Sequence, residues 1–191
     1  MSTLGAPFDV ETISASDDLA AQLSEAQLDV GEGPGWDAYV SQVVVAVPDL
    51  SGTTMPLWPH FFTTVTTRRL HVQSVYALPL SIGRLRIGAV TLYAEQPDTM
   101  NSRSLRRAGV LAEAAAPEVL RHCLDHRHDE PDADGPHSRR ELHQATGMVV
   151  AQLRVKPADA LLLIQAHAYA SGRTMRQIAS DITSRRISLE S

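Results

Sequence analysis

The stretch HQATGMVVAQLRVKPADALLLIQAHAYASGRTMRQIASDI, residues 143–182, decides the fold of the C-terminal part of the chain. Its apolar residues recur at helical spacing in three short segments. The pattern predicts a first helix over 138–153, a second from Pro157 to about Ser171, and a third from Thr174. Pro157 suits a first helical turn and Gly172 suits a helix end. Because the connections are short, we predict a compact three-helix bundle.

The three segments differ in how their apolar residues are distributed. The first buries Leu142, Ala145, Val149 and Leu153 on one face. The second is apolar nearly all round and is therefore predicted to be the central helix. The third opens with Thr174 and Gln177, the spacing of a capping box, and continues with an apolar stripe.

Charge separates this bundle from the rest of the chain. Residues 1–137 carry 9 Arg and 18 Asp or Glu, which gives −9, whereas residues 138–191 carry 7 Arg, Lys156 and 4 acids, which gives +4. Such asymmetry predicts a polyanionic partner for the basic part, with a chance basic tail as the alternative.

The N-terminal part mixes helical and strand patterns. A short helix is predicted over 18–29, with Asp17 as its cap, and a buried strand over 43–47. Pro59 suits the start of a further helix. The segment 31–35, GEGPG, reads as a tight turn, with a phosphate-binding loop as the alternative.

A predicted hairpin and a long helix follow. Residues 70–80 and 84–94 read as two strands joined at Ser81–Gly83. Both faces are apolar from 88 to 93, which is typical of a sheet covered on both sides. Residues 102–124 read as an amphipathic helix with Leu111 on its apolar stripe and a kink or restart at Pro117.

Composition then divides the chain. Residues 125–137 combine prolines, a glycine and five acids, as linkers do. We therefore predict a sensor or dimerisation domain over 1–124, a linker over 125–137, and a helical domain over 138–187.

The helical part closely resembles the ANTAR domain. The matching residues are Gln144–Met148, Asp159-Ala160, Ala168, Gly172–Thr174 and Ala179. The resemblance implies an RNA-binding antiterminator module that recognises paired hairpin loops in nascent transcripts.

The N-terminal part resembles the GAF domain that accompanies ANTAR in actinobacteria. The resemblance is carried by 31–34 with Asp37-Ala38, Asp49-Leu50, Trp58-Pro59 with Phe61, Ser74-Val75 with Pro79-Leu80, 87–89, and 92–94. It implies an α+β fold, a mixed sheet with flanking helices, and a small-molecule signal. Gly35 stands where the family has Cys and Leu57 where it has Arg. The family has a further helix and strand before Asp9, so the chain resembles an N-terminally truncated member, and an open sheet edge and a mis-assigned start codon are the alternatives.

The candidate RNA site combines cations with small and stacking residues. Arg and Lys side chains contact phosphates, Tyr169 offers a stacking surface, and a glycine inside the first helix allows close approach. For Gly147 the alternative is close helix–helix packing, and Tyr169 is expected to lie partly in the core. The candidates are Arg139, Arg140, Gln144, Ala145, Thr146, Gly147, Arg154, Lys156, Tyr169, Arg173, Thr174 and Arg176, with Arg185 and Arg186 as further cations that also suit a solvated helix end.

The sequence predicts no enzyme, no cofactor and no metal. His122 and His126 are one helical turn apart and, with Cys123 and His128, suggest a metal site; a polar helix end is the preferred interpretation. Cys123 is the only cysteine and no nucleophilic arrangement surrounds it. No membrane span, signal peptide or receiver-type phosphoacceptor is recognised, so we expect a cytoplasmic protein.

These patterns lead to one main hypothesis, an RNA-binding antitermination regulator that forms a homodimer. The first alternative is a signal- or protein-interaction module without RNA binding, and the second is a DNA-binding helical regulator.

Overall fold

The computed structural model describes residues 1–5, 8, 10–52, 57–125 and 140–189, with Arg140 described by its backbone alone. The chain divides into two compact units, Met1–His137 and Ser138–Ser191. Within the described residues, the first unit holds a five-stranded sheet and four helices, and the second holds three helices. The predicted α+β class followed by an all-α bundle is confirmed. The predicted linker, from residue 126 onward, lies outside the described residues.

The elements of the first unit follow one another closely along the chain. They are β1 (Ser2–Thr3), β2 (Glu11–Thr12), α1 (Asp18–Val30), α2 (Pro34–Ser41), β3 (Val45–Val47), α3 (Pro59–Thr67), β4 (Ser74–Ile82), β5 (Leu85–Ala94) and α4 (Ser102–Asp125). The second unit consists of α5 (Arg140–Leu153), α6 (Pro157–Ser171) and α7 (Met175–Thr183).

The sheet is not mixed, as the resemblance implied, but antiparallel in every described pair, with strand order β2-β1-β5-β4-β3. Its centre is the predicted β4–β5 hairpin. The turn consists of Gly83 and Arg84 and not of Ser81–Gly83, because Ile82 pairs with Leu85. Gly83 has φ +59°, which a two-residue hairpin turn requires of its first residue.

Helices cover both faces of the sheet, as the apolar pattern of β5 predicts. On one face Leu23 of α1 and Phe61 of α3 pack in a cluster with Val75 of β4. On the other face Ala116 and Val119 of α4 pack against the sheet residues Leu78, Leu80 and Ile87.

The expected open sheet edge is wrong. Ser2 and Thr3 pair with Ala89 and Gly88, so β1 covers the free edge of β5, and β2 in turn pairs with β1. Gly88 allows this contact, because a Cβ at that position would collide with the backbone carbonyl oxygen of Ser2.

The helix α2 was not predicted. Gly31 ends α1 in the left-handed conformation at φ +69°, and Gly33 precedes the new helix at φ +134°. Pro34 then occupies the first helical turn, where its missing N–H costs nothing. Two helix boundaries therefore lie within five residues that read as a simple turn.

Three further expectations are corrected. Val43 and Val44 lie outside β3, and the exposed fractions of their side chains are 62% and 39%. α4 continues through Pro117 without a restart. Pro117 has no N–H to donate to the Glu113 carbonyl, and both residues are exposed. Leu111 is 71% exposed and lies off the buried face.

Candidate nucleic-acid interface

The second unit is held together by a core to which all three helices contribute. The buried residues are Leu142, Ala145 and Val149 of α5, Ala160, Ile164 and Ala168 of α6, and Met175, Ile178, Ala179 and Ile182 of α7. The predicted capping box fixes the start of α7. Gln177 N donates to Thr174 Oγ1 at 3.0 Å, and Thr174 N donates to Gln177 Oε1 at 3.0 Å.

The expectation that α6 is the central helix is wrong. It buries a single stripe, Ala160, Ile164 and Ala168, and Leu161, Leu162 and Leu163 are 38%, 61% and 40% exposed. In a bundle of three helices around one core, each helix keeps an outward face. Tyr169, expected to lie partly in the core, is also exposed, at 48%.

The candidate cations lie in separate places. Arg154 and Lys156 are exposed in the turn before α6, and Arg173 lies in the turn after it. α6 has 15 residues, so at about 1.5 Å per residue these turns are about 22 Å apart. A single basic face would require Arg154 and Arg173 to be neighbours. They are not, because they lie in the turns at opposite ends of α6. Arg139 lies outside the described residues.

Ala145 does not belong to the surface. Its exposed fraction is zero, because it forms part of the helical core, so its side chain does not reach a ligand. The Thr146 hydroxyl donates to the Leu142 carbonyl at 2.7 Å, and the Thr174 hydroxyl is occupied by the capping box. Gln144 and Gly147 are exposed on α5.

Gly147 lies in the middle of α5, where the described residues give no reason for its small size. Among them, nothing lies within 4 Å of a Cβ built at Gly147. This finding removes close helix–helix packing as the reason for the glycine. A glycine inside a helix costs about 1 kcal/mol of stability relative to alanine. Because nothing packs closely against Gly147, the described structure does not compensate for this cost.

Two arginines share one carboxylate on α7. Arg173 Nη2 lies 2.7 Å from Asp181 Oδ2, and Arg186 Nε lies 3.0 Å from Asp181 Oδ1. Asp181 was not singled out in the sequence. The only signal was that Arg173, Gln177 and Asp181 follow at intervals of four, with Arg173 just before the start of α7.

Three other basic residues of the unit lie after helix ends or on α7. Arg154 and Arg185 follow helix ends with φ of +55° and +56°, a conformation that favours glycine. Arg176 is half-buried on α7, where it interacts with another residue.

The first unit contains an open cavity beside the end of β5. Its volume is about 520 Å³, and both polar and apolar surface line it, from Ser16, Asp17, Tyr93, Ala94, Glu95, Gln96 and Thr99. Asp17 Oδ1 accepts from the Tyr93 hydroxyl at 2.8 Å and from Ala20 N at 2.8 Å. The same carboxylate thus caps α1, as predicted, and anchors a tyrosine of the cavity.

The structure describes only some of the residues of the metal-binding alternative. His126 and His128 lie outside the described residues, and Cys123 is half-buried on α4. In the described part of the chain, no three His, Cys, Asp or Glu side chains are arranged to hold a metal. Among the same residues, no helix is long and apolar enough to cross a membrane.

Comparison with known proteins gives one assignment. Residues 136–182 match the ANTAR domain. The curated proteins contain no match to the chain. The basic three-helix unit is thus of a known domain class, and the chain carries an ANTAR domain at residues 136–182.

Two solved structures are similar to part of the chain. One is a type II free methionine-R-sulfoxide reductase from Thermoplasma acidophilum, at 16% identity and TM-score 0.38. The other is the GAF domain region of a protein from Geobacter sulfurreducens PCA, at 19% identity and TM-score 0.39. Each similarity covers 48% of this chain and 58% of the other chain, so this chain spans less than two-thirds of either structure.

Proposed function

We propose that this protein is a transcription antitermination regulator whose ANTAR domain binds a two-hairpin RNA element in nascent transcripts. The observation that carries the proposal is the ANTAR match over residues 136–182, within a part of the chain whose charge is +4. Such a regulator works where transcription takes place, and we place it in the cytoplasm.

The surface of the second unit supports an RNA partner. Arg154, Lys156 and Arg186 are exposed, and cations of this kind contact phosphates. Gly147 adds an argument that does not depend on charge. A glycine that is exposed, costs stability and has no packing role among the described residues is explained by a partner that approaches the helix backbone.

Gly147→Ala tests this interface. We expect the variant to be more stable by about 0.5–1 kcal/mol, because alanine is the better helix former. At the same time, we expect it to bind the two-hairpin RNA about tenfold more weakly or worse, measured by electrophoretic mobility against a loop-scrambled RNA.

Two variants serve as controls. Gly109→Ala makes the same change inside α4, where the nearest side-chain atom to the new Cβ is at 4.0 Å, and should leave RNA binding unchanged. Ile178 is fully buried, so Ile178→Ala should cost about 2–5 kcal/mol and lose binding only through unfolding. If the parent binds the scrambled RNA equally well, specific recognition of the two-hairpin element is refuted.

A second function is favoured by a different observation. Leu162, Leu163 and Tyr169 give α6 an exposed apolar surface, which suits a protein partner better than a polyanion. In that case the unit is an interaction module without RNA binding. Leu162→Ser would then abolish partner capture, whereas under the RNA hypothesis it leaves RNA affinity unchanged.

For the first unit we propose sensing and dimerisation. The open cavity beside Tyr93 is the candidate site for a small-molecule signal. The dimer surface is the outer stripe of α4, defined by Arg107, Val110, Leu111, Ala114 and Glu118. Val110 and Leu111 are 65% and 71% exposed, although they are large and apolar.

The charges of this stripe indicate how a second copy is oriented. Arg107 precedes the two apolar residues, and Glu118 follows them. An antiparallel pair of α4 helices therefore brings each Arg107 beside the Glu118 of the other copy, whereas a parallel pair brings like charges together. We accordingly propose an antiparallel α4 pair as the core of a homodimer.

A further inference from the structure

We propose that Asp181 is a positioning residue that holds Arg173 and Arg186 together as a paired phosphate site for the RNA. This inference rests on the proposed RNA function and assigns a role to an acidic residue within it. An acid is the last residue expected on a surface that binds a polyanion, so its contacts need an explanation.

Both oxygens of the Asp181 carboxylate are used. Oδ2 lies 2.7 Å from Arg173 Nη2 and Oδ1 lies 3.0 Å from Arg186 Nε, so the carboxylate forms an ion pair with each arginine. The side chain of Asp181 is only 14% exposed, whereas those of Arg173 and Arg186 are 39% and 64% exposed. The carboxylate thus lies below the two guanidinium groups, and the cations face outward.

Each arginine is held at one edge only. Arg173 Nη2 donates a hydrogen bond to the Gln177 carbonyl at 3.4 Å, and Arg186 Nε donates one to Ser184 Oγ at 2.8 Å. Within the described part of the chain, Arg173 Nη1 and both terminal nitrogens of Arg186 have no protein partner. These donors are available to the oxygens of a phosphate, which guanidinium groups bind in a fork geometry.

The backbone around Asp181 reinforces the arrangement. The Asp181 carbonyl accepts from Arg186 N at 2.7 Å and from Ile187 N at 3.3 Å, so the chain after α7 folds back onto this residue. An arginine that is already ordered loses less conformational freedom when it binds, and this gain in affinity comes from pre-organisation.

Asp181→Asn tests the proposal, because a role through charge and a role in positioning predict opposite changes in RNA affinity. Removing a negative charge beside the RNA should strengthen binding if Asp181 is only a charge. If Asp181 positions the arginines, we expect affinity for the two-hairpin RNA to fall about tenfold. The matched control is Asp159→Asn, which removes an exposed acid of the same unit that pairs with no arginine among the described residues.

A double-mutant cycle shows whether Asp181 acts through the arginines. In an Arg173→Ala/Arg186→Ala background, Asp181→Asn should no longer weaken binding and should strengthen it instead. The arginine double variant should also lower the slope of log affinity against log salt by about 0.7–0.9 for each phosphate that the protein no longer neutralises. Circular dichroism melts establish that each variant is folded, and Arg186→Ala, with its exposed side chain, gives a second measurement if Asp181→Asn unfolds.

The outcomes separate this proposal from the proposed function. If the parent binds RNA and Asp181→Asn behaves as Asp159→Asn does, Asp181 has no positioning role, although the RNA function stands. If the folded parent does not distinguish two-hairpin RNA from scrambled RNA, the proposed function fails and the phosphate site fails with it. If Asp181→Asn alone weakens binding and the cycle shows coupling, both are supported.

Discussion

Asp17 shows how much a single exposed carboxylate organises in the first unit. It accepts hydrogen bonds from the Ser16 hydroxyl at 2.6 Å, from Ala20 N at 2.8 Å and from the Tyr93 hydroxyl at 2.8 Å. The hydrogen bond from Ser16, followed by those from Ala20 and Tyr93, lowers the pKa of Asp17. The bond to Asp17 is also the main reason that the pKa of Tyr93 is raised to about 12.

Asp17→Asn should bring the pKa of Tyr93 back towards its usual value of about 10. The tyrosinate form of Tyr93 is disfavoured beside a carboxylate, which raises the pKa of Tyr93 in the folded protein. The hydrogen bond therefore stabilises the folded protein below the pKa of an unperturbed tyrosine. This stability is lost as the pH rises through the pKa of Tyr93 in the folded protein. Absorbance titration near about pH 11 should show about one more ionised tyrosine in the variant than in the parent. Asparagine still caps a helix, so α1 is retained.

Asp18→Asn is the control, because it removes the neighbouring charge and not the hydrogen bond. If the two variants shift the tyrosine titration equally, the hydrogen bond from Tyr93 to Asp17 is not the cause.

Among the elements, β1 depends most on one residue of its neighbour. It is two residues long, and its pairing with β5 uses Ser2 with Ala89 and Thr3 with Gly88. Leu4 N then donates to the Ile87 carbonyl at 3.1 Å. The close approach of the two backbones leaves no room for a side chain at Gly88.

Gly88→Ala should therefore displace β1 and lower the free energy of unfolding of the first unit by about 1–3 kcal/mol. The β4–β5 hairpin should persist, since its register does not involve β1. Hydrogen exchange at the Leu4 amide should become faster while exchange at Leu78 stays slow. Exchange that is unchanged at Leu4 would contradict the close approach.

The outer stripe of α4 gives a second prediction at this scale. Leu111→Glu should convert a dimer into a monomer by light scattering, because it places a charge in the apolar centre of the proposed helix pair. Leu57→Glu is the control, since Leu57 is 64% exposed elsewhere.

Arg107→Glu alone should weaken the dimer, and Arg107→Glu/Glu118→Arg should restore it. A parent that is monomeric at tens of micromolar would remove the proposal.

The elements also show how far the sequence leads. The β4–β5 hairpin, α3 and α5–α7 could be predicted, because periodicity and proline placement are local signals. α2 could not, since its start is a left-handed Gly33 that reads as a turn. Nor could the inward face of α6 be chosen, because leucine and alanine are both apolar and only the packing decides that Ile164 is buried and Leu162 is not. Asp181 was missed because its partners come from beyond both ends of α7.

At the scale of the whole molecule, function should follow the division of charge. Residues 138–191 carry +4 and residues 1–137 carry −9, so a polyanion should be attracted to the first of these parts and repelled by the second. We expect the fragment 137–191 to bind two-hairpin RNA and the fragment 1–124 not to bind it.

The fragments must be shown to fold before they are compared. Circular dichroism should give a cooperative melt for each, and the affinity of 137–191 should fall steeply as salt rises. RNA binding by a folded 1–124 together with none by a folded 137–191 would reverse the assignment of roles.

The backbone of α5 has a consequence for how this domain is optimised. Gly147 occupies a helical position that alanine would fill better, and Arg154 occupies a left-handed position, φ +55°, that glycine would fill better. The helix is therefore locally frustrated at two sites, one in its middle and one just after its end. A search for thermostable variants would exchange both residues early, and under the proposed function the resulting domain would be more stable and less able to bind RNA.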